Sequence, residues 1–333
     1  MPEVVDALSR TVALTRPAQR VVSLVPSLTE AVATFSEGSL IGCTKFCVEP
    51  TAVVNGLRKF GGTKDPDIAA IVAQEPDLVI ANKEENRRED VDALTAAGLT
   101  VFVGHALTVS QAIDELESIR TLLGAVGATR VIQTLRAEVE QQESLNEERP
   151  RVTAFCPIWR NPYMAVSGAT YAGDLLRLAG AINVFEDHPS EARYPQVGIA
   201  EIEAADPTIV LLPSEPFHFR ERHREELMAL RSVAAVKTGN VHLIDGRHLT
   251  WYGPRIGEGL RAVVKLLDHA RPDWTPPVDE ARESEPAQDH SKPPTPSTSP
   301  PGGKPRRPPN PNLSLPPGLR LDVTQQDTVD EGS

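Results

Sequence analysis

The strongest constraint on this chain is an internal repeat, in which residues recur at a constant offset of 131 positions. Nine identities share this offset, and they fall into two clusters. The first cluster pairs Arg20, Val21 and Pro26 with Arg151, Val152 and Pro157, and the second pairs Ile68, Ala69, Ile71, Ala73, Pro76 and Val79 with Ile199, Ala200, Ile202, Ala204, Pro207 and Val210. Chance seldom aligns so many residues at one offset, so the repeat predicts two structurally equivalent lobes.

Each copy of the repeat alternates apolar, strand-like runs with helix-like segments. In the first copy, RVVSLVP (20–26) and PDLVI (76–80) are typical of buried strands. Strands that alternate with helices favour a parallel sheet covered on both faces. The predicted fold is therefore α/β, with two Rossmann-like lobes.

Capping patterns predict where several helices begin. Residues 27–30 (SLTE) and 82–85 (NKEE) match a capping box, in which a short polar side chain and a carboxylate bind the free N–H groups. Asp65 before Pro66 predicts a third start, because proline favours the first position of a helix. In the second copy, similar signals predict helices at 171–179, 199–205 and 256–269.

Between the copies, residues 128–145 have helical character, with Val131, Leu135 and Val139 on one stripe. A helix of this length spans roughly 25–30 Å. One long helix is therefore predicted to join the lobes and to limit how far the ligand cleft between them opens. The predicted organisation is an N-terminal extension (1–19), an N-terminal α/β lobe (20–124), a bridging helix (125–150), a C-terminal α/β lobe (151–272) and a disordered proline-rich tail (273–333).

The tail differs from the rest of the chain in composition. Of the 30 prolines, 14 follow Trp274, and this stretch contains no Phe, Trp or Tyr. It cannot bury enough apolar surface to offset the entropy of the chain, which predicts disorder. Its proline-rich segments could form polyproline II helix and bind an SH3-like or WW-like partner. A solvated tail without a fixed partner is the alternative.

Charge and hydropathy exclude two classes of function. The formal net charge of −12 argues against a nucleic-acid-binding protein, which needs a basic face. No window approaches 18 uninterrupted apolar residues, so no membrane-spanning helix is expected. The first residues lack the basic opening and the apolar run of a signal peptide, and a cytoplasmic location is therefore expected.

Aromatic residues are concentrated in the loops that follow the predicted strands. Ligands bind beyond the carboxyl ends of the strands in open parallel sheets. The chain has only three Trp, four Tyr and eight Phe, and six of these fall in such loops: Phe46, Trp159, Tyr163, Phe217, Trp251 and Tyr252. Each one alone could pack beneath its loop, but the set predicts faces on which a large planar ligand stacks.

Polar residues of the same loops complete the predicted ligand site: Lys64, Asn82, Arg160 and Arg255. The arginines would pair with carboxylates or phosphate at the edge of the ligand. Cys47 and His105 are candidate metal ligands, without a complete ligand set in the sequence. The chain has no P-loop, GxSxG or HExxH motif, so we expect no catalytic residues, no required cofactor and no enzymatic activity.

Four segments, in order along the chain, resemble the periplasmic-binding-protein family for cobalamin and ferric siderophores. They are RVVSLVPSLTEAV, GGTKDPDIAAIVAQEPDLVIAN, SGATYAGDLLRLAGAINVF and ARYPQVGIAEIEAADPTIVLL. The resemblance covers about 20–270 and implies two lobes joined by one long helix. It also implies reversible binding, without chemistry, of a metal-containing ligand such as a corrinoid, a ferric siderophore or haem, usually delivered to an ABC transporter.

The resemblance assigns expectations to a few positions. Phe46 matches an aromatic residue that lies at the ligand in cobalamin-binding members, whereas Asn82 or Lys83 replaces their ligand tryptophan. Family members that dock on a permease carry an acidic residue where this chain has Ala69 and Ala200, so coupling to an ABC permease is not expected.

Two other functions stay open at this stage. One is a thiol-dependent or metal-dependent enzyme in which Cys47 and Cys156 face each other across the cleft. The other is an interaction module that recruits a partner through its proline-rich tail.

Overall fold

A computed structural model describes residues 1–271 of the 333-residue chain, and the predicted tail (273–333) lies outside these residues. The first residues form an antiparallel hairpin of β1 (Glu3–Val5) and β2 (Thr11–Ala13). Its turn is tied to the first lobe, because the Ala7 N–H donates to the Val103 carbonyl oxygen at 2.9 Å. The predicted N-terminal extension is therefore packed on the N-terminal lobe.

The first copy of the repeat contains a five-stranded parallel sheet with β3 (Val21–Ser23) at its centre. β3 pairs on one side with β4 (Leu40–Cys43), which pairs with β5 (Arg58–Lys59). On its other side lies β6 (Leu78–Asn82), followed by β7 (Val101–Gly104). Because β3 and β6 are buried along their whole length, they are continuous apolar runs, as the sequence predicts for covered parallel strands.

Five helices accompany this sheet: α1 (Pro26–Phe35), α2 (Thr51–Val54), α3 (Ile68–Val72), α4 (Arg88–Ala96) and α5 (Val109–Leu123). The last of them, α5, follows a Thr108-x-x-Gln111 capping pattern, and Thr108 caps it by accepting from the Gln111 N–H at 3.1 Å.

The predicted capping residues of the first lobe are wrong in detail. α1 begins at Pro26 without a side-chain cap. α3 is capped by Asp67, which accepts from the Ala70 N–H at 3.0 Å, rather than by Asp65. Asn82 accepts from the Glu84 N–H at 2.7 Å within a turn, and α4 starts five residues later than that cap would place it.

One long helix joins the lobes, as the sequence predicts. A short 3₁₀ turn (Val126–Ala128) leads into α6 (Thr129–Glu148), which buries Ile132 and Leu135. α6 packs against α5 of the first lobe and against two helices of the second lobe. This helix therefore packs against both lobes.

The second copy contains a four-stranded parallel sheet with β8 (Val152–Phe155) in the interior. Three short strands form a separate antiparallel sheet beside it: β9 (Pro157–Trp159), β10 (Tyr163–Ala165) and β12 (Gln196–Val197). The other strands of the parallel sheet are β11 (Ala181–Asn183), β13 (Ile209–Pro213) and β14 (Val241–Ile244). The helices are α7 (Tyr171–Leu178), α8 (Ile199–Ala205), α9 (Glu221–Leu227), α10 (Ala234–Lys237), α11 (Arg247–Thr250) and α12 (Ile256–His269).

The repeat corresponds to structurally equivalent elements. β3 and β8, α3 and α8, and β6 and β13 each begin 131 residues apart. In both sheets the first of these strands lies beside the last of them. The predicted two-lobed α/β fold is confirmed.

A single apolar core extends through both lobes. Its largest cluster includes Leu28 and Ile113 of the first lobe together with Tyr171 and Leu260 of the second. Across the same junction the Val109 N–H donates to Asp174 Oδ2 at 2.8 Å. Within residues 1–271, none of the helices combines the length and apolar character needed to cross a membrane.

Candidate functional site

A cavity of about 430 Å³ lies between the two lobes. In the first lobe its walls follow the carboxyl ends of β3, β4, β6 and β7. In the second lobe they come from β9, the start of α7, the loop after β13, and α11 with the residues that follow it. The volume is in the range typical of small-molecule sites, and the position is the one predicted for an open parallel sheet.

Aromatic rings from both lobes line this cavity: Phe46, Tyr171, Tyr194, Trp251 and Tyr252. Phe46 is held in a tight turn after β4, where its N–H donates to Thr44 Oγ1 at 3.3 Å. The close approach of the neighbouring loop depends on Gly62, where an added Cβ would lie 3.0 Å from the Phe46 ring. Phe46 therefore presents its ring from a fixed backbone position.

The floor of the cavity contains a polar contact between the lobes. Asn82 Nδ2 donates a hydrogen bond to Tyr252 Oη, and both side chains are buried. The Tyr252 ring also packs on Tyr171, with ring centroids 5.4 Å apart. Burial raises the pKa of Tyr252 far above its usual value, so its hydroxyl stays protonated and available for hydrogen bonding.

Three glutamates contribute to the cavity wall: Glu84, Glu85 and Glu215. Burial raises the pKa of Glu85 to about 8, and the neighbouring Glu215 and Glu84 act in the same direction. Burial also raises the pKa of Glu215, whose Oε1 accepts from Thr250 Oγ1 at 3.0 Å. At neutral pH Glu85 is therefore mostly a protonated carboxyl donor, and the other carboxyl oxygens of the wall can accept hydrogen bonds.

The cations at the cavity already have partners within the protein. Lys64 Nζ donates to the Glu84 carbonyl oxygen at 2.7 Å, and burial lowers its pKa. Lys45 Nζ lies 3.5 Å from Asp65 Oδ2. Both lysines of the lining, Lys45 and Lys64, are therefore bound by the protein rather than left for an anionic group of a ligand.

Ion pairs join the lobes around the cavity, each between a glutamate of the first lobe and an arginine of the second. The pairs are Glu30–Arg255, Glu49–Arg247 and Glu84–Arg193. In the first pair the Arg255 guanidinium donates to both carboxylate oxygens of Glu30, at 2.6 and 2.7 Å. These contacts hold the lobes together beside the cavity.

Five of the ten predicted ligand contacts line the cavity: Phe46, Lys64, Asn82, Trp251 and Tyr252. The structure places the other five elsewhere: Trp159, Arg160, Tyr163, Phe217 and Arg255.

The residues that lie elsewhere have identifiable contacts. Trp159 and Phe217 pack on each other with ring centroids 5.6 Å apart. Arg160 pairs with Glu226 and, with Tyr163, lines a separate depression of the second lobe. Ile158 of β9 still lines the cavity, but the chain then turns into β10, and this strand pair places Arg160 and Tyr163 at the separate depression.

Two lining aromatics were not predicted, Tyr171 and Tyr194. Tyr171 is the first residue of α7, which Thr170 caps by accepting from the Gly173 N–H at 3.0 Å. That capping pattern was a usable signal for the position of Tyr171. Tyr194 lies in the irregular segment before β12, where the sequence has no periodic pattern to place it.

The candidate metal ligands do not form a metal centre. Cys47 is buried beneath the Phe46 turn, and the ring nitrogen Nε2 of His105 lies 3.7 Å from Glu84 Oε1. In the part of the chain that the structure describes, no three His, Cys, Asp or Glu side chains converge as metal ligands would. Cys47 and Cys156 lie in separate apolar clusters, and neither lines the cavity, so they do not face each other across it.

The chain has two α/β lobes joined by one helix, with an aromatic cavity between them. These features define a two-lobed ligand-binding protein. A family model described as periplasmic binding protein matches residues 21–247. The chain belongs to this periplasmic binding protein family, which confirms the resemblance found in the sequence.

Curated relatives and solved structures agree with this assignment. A cobalamin-binding protein of Halobacterium salinarum is 26% identical over 274 residues, covering 79% of this chain and 73% of the relative. The periplasmic vitamin B12 binding protein of Vibrio cholerae superposes with a TM-score of 0.64 at 21% identity, covering 77% of this chain and 99% of that one. A periplasmic heme-binding protein of Roseiflexus has a TM-score of 0.63 at 19% identity, covering 76% and 99%. The relatives are binding proteins.

Proposed function

We propose that this protein reversibly binds a corrinoid of the cobalamin type in the interlobe cavity, without chemical change to the ligand. The observation that carries the proposal is the aromatic lining that both lobes contribute to the cavity between them. The name of the Halobacterium relative, which binds cobalamin, supports the same ligand.

The charge of the cavity favours a corrinoid over haem or a ferric siderophore. The edge of a corrin ring carries carboxamide groups, whereas haem carries carboxylates and many ferric siderophores are anionic. The cavity lining holds Glu84, Glu85 and Glu215, whereas its lysines Lys45 and Lys64 are engaged by the protein, so the lining is poorly matched to an anionic edge. Like charges placed opposite each other at an interface cost several kcal/mol. Carboxamides can instead donate to these carboxylates and accept from a protonated Glu85.

Each lining group then has a defined role. Phe46 from the first lobe and Trp251 from the second offer apolar faces to the ring. Asn82 and Tyr252 hold the two lobes at a fixed separation through their mutual hydrogen bond. Because the lobes share one core, we expect the ligand to enter a site that is largely formed beforehand.

The direct test is titration of the purified chain with hydroxocobalamin, haemin and a ferric siderophore, followed by tryptophan fluorescence and by absorption of the ligand. We expect saturable binding of hydroxocobalamin at low micromolar concentration and weaker binding of the two anionic ligands. Tighter binding of haemin than of hydroxocobalamin would exclude the corrinoid. No binding of any of the three at tens of micromolar would exclude the function itself.

A pair of phenylalanine variants locates the binding. Phe46→Ala removes a lining ring, and we expect the Kd for hydroxocobalamin to rise at least tenfold, since truncated aromatic anchors often cost about 2 kcal/mol. Phe217→Ala removes a ring of the same size that packs on Trp159 outside the cavity, so the Kd should stay within about threefold. Equal losses in both variants would place the ligand elsewhere.

We further infer that the protein does not dock on an ABC permease in the manner expected of its family. Ala69 and Ala200 are exposed at the starts of α3 and α8. The nearby Asp67 and Glu201 are engaged in bonds to the N–H groups of Ala70 and Gly198. Co-purification with membranes of the source organism tests this: the natural chain should stay soluble, and recovery of a permease with it would contradict the inference. The cytoplasmic location stays a prediction.

A further inference from the structure

Beneath the Phe46 turn lies a pair of thiols that ligand binding does not use. Cys43 is the last residue of β4, and Cys47 closes the turn that follows it. Both are free and buried, and they pack together with Val54 in one small apolar cluster. The cysteines are therefore adjacent in the fold and separated only by Thr44, Lys45 and Phe46.

A lysine and two hydroxyls surround this thiol pair. Lys59 Nζ lies 3.1 Å from Cys43 Sγ and 3.1 Å from the Cys47 carbonyl oxygen. Thr29 Oγ1 and Thr44 Oγ1 lie 3.1 and 3.2 Å from Cys47 Sγ. An ammonium group beside one of two adjacent sulfurs is the environment of a reactive cysteine rather than of an inert buried one.

The protonation states of the two thiols differ accordingly. The hydrogen bond from Cys47 and the ammonium of Lys59 lower the pKa of Cys43 to about 6, against the effect of burial. The interaction with Cys43 and burial raise the pKa of Cys47. At neutral pH a thiolate at Cys43 thus lies beside a thiol at Cys47.

We propose that Cys43 and Cys47 form a redox-active dithiol that closes to an intrachain disulfide, and that its closure alters the Phe46 turn of the ligand cavity. The dithiol chemistry stands without the proposed function, whereas the effect on ligand affinity rests on it.

Hydrogen peroxide is the oxidant of this proposal, because both thiols are buried and a small oxidant is the class best able to reach them. The Cys43 thiolate attacks one peroxide oxygen, which forms an S–O bond, breaks the O–O bond and releases hydroxide. Cys47 then attacks the Cys43 sulfur, which forms the S–S bond and expels hydroxide, while the Cys47 proton leaves in water. In total, two thiols lose two electrons and hydrogen peroxide becomes two molecules of water.

Disulfide formation would change the turn that carries two cavity residues. Cys47 Sγ would exchange its hydrogen bonds with Thr29 and Thr44 for a covalent bond to Cys43. Lys45 and Phe46, which lie between the two cysteines, both line the cavity. Oxidation is therefore expected to weaken ligand binding by moving the Phe46 ring.

The chain contains a matched control cysteine. Cys156 is also buried and free, but it lies in the apolar core of the second lobe, and burial raises its pKa to about 12. It should neither react with peroxide nor be alkylated at neutral pH in the folded protein.

The test uses the full chain, first reduced and then treated with hydrogen peroxide, with peptide mapping by mass spectrometry. We expect a Cys43–Cys47 disulfide and an unmodified Cys156. In Cys47→Ser, which cannot close, we expect a sulfenic acid at Cys43 that dimedone traps. Recovery of all three cysteines as thiols, or oxidation of Cys156 at the rate of Cys43, would overturn the proposal.

A lysine variant tests the environment of Cys43 without removing either thiol. In the natural protein the rate of alkylation of Cys43 by iodoacetamide should reach half of its plateau near pH 6. Lys59→Met removes the ammonium, so this midpoint should move to higher pH and the disulfide should form more slowly. An unchanged pH profile and an unchanged oxidation rate would contradict the role of Lys59.

The effect of oxidation on ligand affinity is tested by comparing the reduced and oxidised chains in the hydroxocobalamin titration. We expect oxidation to raise the Kd severalfold in the natural protein and to leave it unchanged in Cys47→Ser. Unchanged affinity after complete disulfide formation would overturn the coupling alone. If the reduced chain fails to bind hydroxocobalamin at all, the proposed function fails, while the mass-spectrometric result still decides the dithiol chemistry.

Discussion

Replacement of Arg255 by methionine should destabilise the protein substantially, because this residue joins the two lobes through a mostly buried ion pair. Its side chain is 12% exposed and that of Glu30 is 15% exposed. Removing one partner of a buried pair leaves an uncompensated charge and typically costs 3–5 kcal/mol. Because some exposure remains on both sides, we take the lower end, about 3 kcal/mol. The guanidinium also lies 5.2 Å from the centroid of Trp251, which adds a smaller favourable contact.

The assay is thermal and urea unfolding of Arg255→Met beside a matched variant of the same helix, Arg261→Met. Arg261 pairs with Glu138, but these side chains are 57% and 31% exposed, so its loss should cost less than about 1 kcal/mol. For a chain of this size, about 3 kcal/mol corresponds to a fall in Tm of roughly 6–12 °C.

A double-mutant cycle completes this test. Glu30→Met combined with Arg255→Met should recover part of the stability lost by either single variant, because neither charge is then left unpaired. Equal small losses in Arg255→Met and Arg261→Met, or a cycle without coupling, would refute the view that this pair joins the lobes.

Three further outcomes are expected. Trp251→Ala should raise the Kd for hydroxocobalamin at least tenfold, whereas Trp159→Ala should not, because only Trp251 lines the cavity; equal effects in the titration would contradict the proposed site. Glu85→Gln should stabilise the protein by an amount that grows between about pH 5 and pH 8, to the order of 1–3 kcal/mol. Folding raises the pKa of Glu85 to about 8, so the stability contributed by its protonated form is present at low pH and is lost as the pH rises. A stabilisation by Glu85→Gln that does not depend on pH in thermal unfolding would exclude this cause. Tyr252→Phe should cost about 1–3 kcal/mol in urea unfolding, since it leaves the buried Asn82 amide without its partner, and an unchanged midpoint would contradict that contact.

Local patterns predicted the elements of the fold well and their first residues less well. The bounds of α12 agree with the sequence prediction, because a buried apolar period determines where such an element can lie. The start of α4 was misplaced, because the Asn82 side chain closes a turn rather than a helix. Short polar side chains bind backbone N–H groups in both settings, so the residue type alone does not distinguish the two.

The residues of the predicted site also differ in how far the local sequence determines their position. Phe46 lies three residues after β4 and Tyr252 lies just beyond α11, which follows β14, and such positions meet at the carboxyl edge of a parallel sheet. Arg160 and Tyr163 also follow a strand, but β9 and β10 pair with each other and direct them to another face of the lobe. Nothing in the local sequence specifies that pairing.

The sequence by itself determined the two lobes, the joining helix and the family, because these depend on periodicity and on a repeat that survives in residue identities. The tertiary structure alone decided which charges remain available to a ligand. Arg255 and Glu30 are 225 positions apart, and so the sequence gives no indication that they neutralise each other. The same holds for Lys59 beside Cys43, where strand pairing between β4 and β5 creates the thiol environment. Short-range order follows from the backbone and the apolar period, whereas the electrostatics of a site depends on contacts between segments that only the packed fold brings together.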